Sequence, residues 1–183
     1  MRHFIPAIAA GFAVALLANP AAAQDPENTL VMELKCGDVH IALKPDVAPN
    51  HAERLKELTR EGFYDGVIFH RVIEGFMAQT GDPTGTGMGG SDRPDVAAEF
   101  SEEPFIRGTV GMARSSDPDS ANSQFFIMFD EGSFLNGQYT VVGEVVEGME
   151  HVDAIAKGEP PADPDQIVEL RVAADVEGGA AQD

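Results

Sequence analysis

Phe69-His70-Arg71-Val72-Ile73-Glu74-Gly75-Phe76-Met77-Ala78-Gln79-Thr80-Gly81-Asp82 is the stretch whose reading decides the fold. Val67, Ile68, Phe69, Val72, Ile73, Phe76 and Met77 are apolar, as buried sheet segments are. His70, Arg71 and Gln79 sit among them. An unpaired guanidinium out of water is costly. Arg71 therefore either pairs with an acid in the core or points into a cleft and meets a ligand, and the stretch alone leaves both open.

Two further stretches bear on the choice: Ser123-Gln124-Phe125-Phe126-Ile127, and Phe134-Leu135-Asn136-Gly137-Gln138-Tyr139-Thr140-Val141-Val142-Gly143. The three together resemble the signatures of the cyclophilins, the peptidyl-prolyl cis-trans isomerases, in family order and at family-like spacing. The similarity runs from about Thr29 to Ala173. It implies a mostly β fold, a closed eight-stranded antiparallel barrel capped by two helices. By resemblance, Arg71 is the catalytic arginine and Gln79 orients it and the substrate carbonyl. Phe76, Met77, Phe126 and Leu135 line an apolar cup for a proline ring, although without the motif ordinary core packing is the better account of those four. Gln124 and Ala113 lie along the groove, Ala113 through its backbone, and His70 is supporting structure. Phe134 and Tyr139 stand where many members carry tryptophan and histidine. Arg114 and Asn122 replace an asparagine and a glycine. The chain has no tryptophan, so an indole N–H donor is missing and weak binding of cyclosporin is expected.

The implied reaction makes modest demands. Rotation about an X-Pro bond crosses a barrier of about 18–20 kcal/mol set by amide resonance. Uncatalysed, it takes tens to hundreds of seconds, on the order of a slow folding step. No bond breaks, so the resemblance implies no cofactor, metal or nucleophile. A proton donor near the prolyl nitrogen helps, because that nitrogen becomes basic only in the twisted state. An arginine, always charged and with a fixed plane of donors, suits the task.

Residues 1–23 read as a secretory signal peptide: Arg2 and His3, an apolar run Phe4–Leu17, then Ala21-Ala22-Ala23. The run is short for a membrane span and is broken by Pro6. The mature protein is placed in a bacterial periplasm, away from the membrane once cleaved. The formal charge of −19 becomes one unit more negative without Arg2. Such acidity disfavours nucleic acid and anionic membranes as partners. A lone cysteine, Cys36, excludes an internal disulfide and reads as an inert thiol, buried or half-buried in a hairpin.

Residues 24–28 are expected to be a loose leader, 29–175 the isomerase domain, and 176–183 a flexible acidic tail. Thr29–Leu34 and Val39–Leu43 alternate around Cys36-Gly37-Asp38 as a hairpin. A helix begins near Pro49, with Ala52, Leu55 and Leu58 on one face and Glu53, Arg54, Lys56, Glu57 and Arg60 covering the other. Gly62 closes it as a left-handed cap. Thr80–Arg93 is glycine-rich, but no Gly-Lys-Ser/Thr follows, so it reads as a surface loop rather than a phosphate cradle. Ala97–Phe100, Thr109–Ala113, Gln124–Phe129, Tyr139–Val146 and Ile167–Val172 read as strands, and Met149–Ala156 as a second helix. Composition and spacing alone reach only a mostly-β single domain.

The expected partners are proline-containing polypeptides, including unfolded exported proteins, and a monomer is assumed. The competing reading is a proline-binding chaperone or scaffold with little turnover. A hydrolase or metalloprotein fares badly. His40, His51, His70 and His151 lack paired ligand spacing, and Ser91, Ser101 and Ser123 lack a nucleophile-elbow sequence.

Overall fold

The computed structural model describes residues 25–179. The export segment read at 1–23 lies outside them. Eight strands form one antiparallel sheet: β1 Thr29–Leu34, β2 Gly37–Leu43, β3 Arg71–Ile73, β4 Met77–Thr80, β5 Thr109–Met112, β6 Phe125–Met128, β7 Val141–Glu147 and β8 Glu169–Val172, in the order β3-β4-β6-β5-β7-β2-β1-β8.

The closed barrel expected from the resemblance is corrected: the sheet is an open half-barrel. Edge strands β3 and β8 share no ladder. Between them run only isolated bridges, Ile68 with Gln166 and Val72 with Gly158. The reason is local. β3 has three residues before the Glu74-Gly75 turn. The facing segment carries Pro160, Pro161 and Pro164, none of which can donate to a ladder.

Period-two alternation sorts the side chains. Leu30, Met32 and Leu34 of β1 and Val39, Ile41 and Leu43 of β2 enter the main core. Phe125 and Ile127 of β6 join them, while Phe126 and Met128 enter a second, smaller cluster with Met77, Phe105, Leu135 and Val141. The unbroken apolar run of β6 is thus buried on both faces. The second cluster lies on the outer face of the sheet, and there the candidate site is built.

Helix α1, Pro49–Arg60, buries Ala52, Leu55 and Leu58 as its spacing predicts. Its N-terminus is capped from afar: Glu99 accepts from the amides of Asn50 at 3.2 Å and His51 at 3.1 Å, and meets His51 Nδ1 at 2.6 Å. Burial holds the His51 imidazole below its ordinary range against the pull of Glu99. The helix ends in paired bonds, Gly62 N–H to Thr59 O at 3.0 Å and Phe63 N–H to Leu58 O at 3.0 Å, with Gly62 at φ 67°. Lys56, expected on the exposed face, is buried instead. Its stem packs inward while its amine reaches Glu53 at 3.1 Å.

Further departures follow the same logic. Helix α2, Met149–Asp153, stops short of the expected Ala156. A third helix, α3, Ala173–Gly179, crosses the expected start of the tail. Residues Pro26–Asn28 of the leader form a 3₁₀ turn capped by Asp25. Arg60 ties Glu27 to Asp175, at 2.7 and 3.0 Å, joining the two ends of the domain. Ala97–Phe100 is not a strand; only Val96 bridges to Ala121. Cys36 is exposed at the hairpin turn rather than buried, its thiol donating to His151 O at 3.6 Å.

Candidate active site

One transverse row of residues crosses five strands. Arg71 of β3 pairs with Gln79 of β4, Gln79 with Phe126 of β6, Phe126 with Gly111 of β5, and Gly111 with Val141 of β7. Neighbouring strands lie about 4.8 Å apart, so the row sets a cation, an amide and an aromatic ring side by side on the outer face. The glycine leaves room for the floor: a Cβ at Gly111 would collide with the rings of Phe126 and Phe105 unless they shifted. Those rings stack with centroids 5.7 Å apart over the bare backbone.

Above this row lies a hollow of about 430 Å³. Arg71 and Gln79 stand on one side, and Phe126, Met77 and Leu135 reach it from the second cluster. Phe76, Phe134 and Tyr139 complete the aromatic wall, and Ala113 also lines the hollow. Met77, Phe126 and Leu135 are buried, so core packing and pocket lining are the same arrangement. Phe134 and Leu135 belong to a 3₁₀ turn, Ser133–Leu135, that points one side chain out and the next in: Phe134 is 63% exposed and Leu135 7%. Phe76 and Phe134 lie 5.5 Å apart, and Tyr139 meets Phe126 edge-on at 6.0 Å.

Nine of the ten residues read as site residues line this hollow. The tenth, Gln124, lines an adjoining hollow of about 470 Å³ that shares Gln79, Ala113 and Arg114. The amide of Ala113 is already engaged by Gln124 O at 2.9 Å. A hydrogen-bond relay connects the two hollows. Arg71 Nη1 donates to Gln79 Oε1 at 3.5 Å, and Gln79 Nε2 to Gln124 Oε1 at 2.8 Å. Gln124 Nε2 in turn donates to the carbonyls of Gly87 at 3.2 Å and Gly89 at 2.8 Å.

Three contributors were not among the expected site residues. Gln138 lines the hollow beside Tyr139. Arg114, which lines both hollows, has its guanidinium carbon 4.4 Å above the Tyr139 ring. Its donors go to the carbonyls of Gln138 and Ser115, and it has no carboxylate partner among the described residues. Glu159, 88 residues from Arg71, accepts from Arg71 Nε at 2.8 Å. This carboxylate lies outside the core, its side chain 54% exposed against 43% for Arg71. The arginine is thus half open at the lip of a hollow, rather than sealed in a core salt bridge.

His70 supports the site from behind. It is buried, neither ring nitrogen has a hydrogen-bond partner among the described residues, and burial holds its pKa below the ordinary range. The glycine-rich loop above it is folded around Asp82. That carboxylate accepts from the amides of Thr84 at 2.8 Å, Thr86 at 3.1 Å, Gly87 at 2.6 Å and Gly89 at 3.1 Å, and from the Thr84 hydroxyl at 2.7 Å. The loop cradles its own anion. Burial alone would raise the Asp82 pKa, but the Thr84 hydroxyl and the Gly89, Thr84 and Gly87 amides outweigh it and hold the group far below the carboxylate range.

The family model of cyclophilin-type peptidyl-prolyl cis-trans isomerases matches residues 29–172, from the first strand to the last. The chain belongs to this family. A protein from Brucella suis named a probable peptidyl-prolyl cis-trans isomerase is 55% identical over 194 aligned positions, covering 96% of this chain and 99% of that one. Among solved structures, the cyclophilin AquaCyp293 from Hirschia baltica superposes with a TM-score of 0.77 at 32% identity, over 82% of this chain and 76% of that one. A Cryptosporidium parvum cyclophilin-type isomerase, crystallised in the presence of the dipeptide Ala-Pro, gives 0.73 at 30% identity, over 79% of this chain and 98% of that one. The cyclophilin fold, eight antiparallel strands and few helices, is therefore that of this protein, and isomerase is its enzyme class.

Proposed function

We propose that this cyclophilin accelerates X-Pro isomerisation in unfolded exported proteins without covalent chemistry, with Arg71 donating to the prolyl nitrogen. The proline ring enters the hollow floored by Phe126, Met77 and Leu135. The flanking chain runs past Gln79 and Gln124 toward the second hollow. In the planar imide the nitrogen lone pair is delocalised and accepts little. At mid-twist it becomes localised, and a donor aimed there stabilises the transition state more than the ground state. Each 1.4 kcal/mol so gained is about tenfold in rate.

One observation carries this reading: the cross-strand row that sets an always-charged, half-exposed guanidinium at the lip of an apolar hollow. The Ala-Pro dipeptide used with the Cryptosporidium relative supports proline-containing chains as the substrate class. The placement in a periplasm rests on residues 1–23 and is checked by fractionating cells. Arg71→Ala is expected to cost at least tenfold in kcat/KM on an X-Pro peptide, on the order of 1.4 kcal/mol, with the fold intact. Arg71→Lys is expected not to restore the full rate, since an ammonium lacks the planar fork. Full activity in Arg71→Ala refutes the role of Arg71, full activity in Arg71→Lys refutes only the need for the planar fork, and a wild type that does not accelerate the peptide is a proline-binding module.

A further inference from the structure

We propose that Glu159 is a positioning residue for Arg71, selecting the guanidinium orientation that faces the hollow. The inference rests on the reading that Arg71 acts on the substrate.

Glu159 belongs to no strand, yet its place beside β3 is fixed by backbone. Val72 N–H donates to Gly158 O and Gly158 N–H to Val72 O, both at 2.8 Å. This reciprocal pair pins the residue before Glu159 to the residue after Arg71. The Glu159 carboxylate then meets Arg71 Nε at 2.8 Å, a charge-assisted bond of ordinary length. On the other side the guanidinium has, among the described residues, only Gln79, whose Oε1 lies 3.5 Å from Nη1. Among the described contacts, the short one is therefore the Nε anchor.

The two contacts have different consequences. An exposed ion pair adds little to stability, so Glu159 is not needed to hold the fold. Arginine is a long side chain with many rotamers, however, and its guanidinium is planar. Fixing the Nε edge fixes the direction of both Nη groups. A carboxylate bound at Nε restricts the side chain, while among the described contacts Nη2 has no partner and can still donate. Gln79 is itself held by Gln124, which is held by the glycine loop. The cation thus stands between two supports, the Gly158–Glu159 segment on one side and the glutamine relay on the other. Orientation of a donor at the twisted nitrogen changes turnover more than binding, because the contact forms only at mid-reaction.

The test compares Glu159→Ala, Glu159→Gln, Arg71→Ala and the double variant Arg71→Ala/Glu159→Ala on an X-Pro peptide, beside thermal unfolding and the ¹⁵N spectrum of the arginine Nε–H groups. Glu159→Ala is expected to lower kcat about fivefold to tenfold, with KM within about twofold. Its melting temperature stays that of the wild type, and the Arg71 Nε–H resonance moves. Glu159→Gln, which keeps an acceptor at the same distance, retains most of the rate. The double variant is no slower than Arg71→Ala, since no cation is left to orient. A wild-type kcat in Glu159→Ala overturns the proposal, as does a Gln variant as slow as Ala or an additive loss in the double variant. Full activity in Arg71→Ala would instead remove the reading of Arg71 itself, a failure distinguishable from these.

Discussion

Replacing Asp82 by asparagine isolates the device that shapes the groove. The residue is 1% exposed and its two carboxylate oxygens are the hub of the glycine-rich loop. Oδ1 takes the amide and hydroxyl of Thr84, and Oδ2 takes the amides of Thr86, Gly87 and Gly89. Asparagine has one acceptor oxygen and an NH₂ that must face donors. In its better orientation the oxygen keeps the three amides on the Oδ2 side. The Thr84 amide is then left without an acceptor, and the surviving bonds lose charge assistance. Hydrogen bonds to charged groups contribute about 1.5–3 kcal/mol each, and an orphaned buried donor costs about 1–3 kcal/mol. The expected loss is about 3 kcal/mol, or roughly 6–12 °C in melting temperature for a domain of this size. Activity should fall as well, because the carbonyls of Gly87 and Gly89 anchor Gln124 and, through it, Gln79. The pH dependence supplies a sharper criterion. The folded pKa of Asp82 is depressed, so its contribution is fully present above its unfolded value near 3.8 and declines progressively as pH falls from there through the much lower folded value. Asparagine does not titrate. The two stability curves, from urea unfolding between pH 7 and about 2, should run parallel above about pH 5 and converge only below about pH 4. Curves parallel throughout, or a melting temperature unchanged in Asp82→Asn, would refute the cage.

Gly111→Ala places a methyl against the rings of Phe126 and Phe105; a destabilisation of about 1–3 kcal/mol with a raised KM is expected, and a neutral effect would show that the stacked floor can yield. Arg114→Ala should cost peptides with an acidic residue beside the X-Pro unit about threefold more in kcat/KM than basic ones, since a partly exposed cation without a carboxylate partner among the described residues favours anions locally; equal losses on the two peptide series would exclude a charge role. Phe134→Trp, at a rim position 63% exposed, restores an indole N–H and should tighten cyclosporin binding, measured by inhibition of the peptide assay.

How much of this was legible in the sequence depends on the range of the interaction concerned. Arg71 and Gln79 are eight residues apart across a tight turn, so their pairing is a local consequence of alternation around Glu74-Gly75. Gln124–Phe129 announced a buried strand, but not that Phe126 and Phe125 serve different cores; an unbroken apolar run has no phase. Closure of the barrel failed as an expectation because closure is a property of two edges far apart in sequence, and Pro160, Pro161 and Pro164 veto a ladder only once they are known to face β3. Glu99 and Glu159 were illegible for a related reason. Each lies in a stretch without period, among 31 acidic residues of which most are solvated surface, and each acquires its role from a partner 48 or 88 residues away. In a chain this acidic, composition hides the few carboxylates that matter. What distinguishes Glu159 is no property of its own sequence neighbourhood, but the backbone bridge from Gly158 to Val72 that delivers it to the edge of the guanidinium.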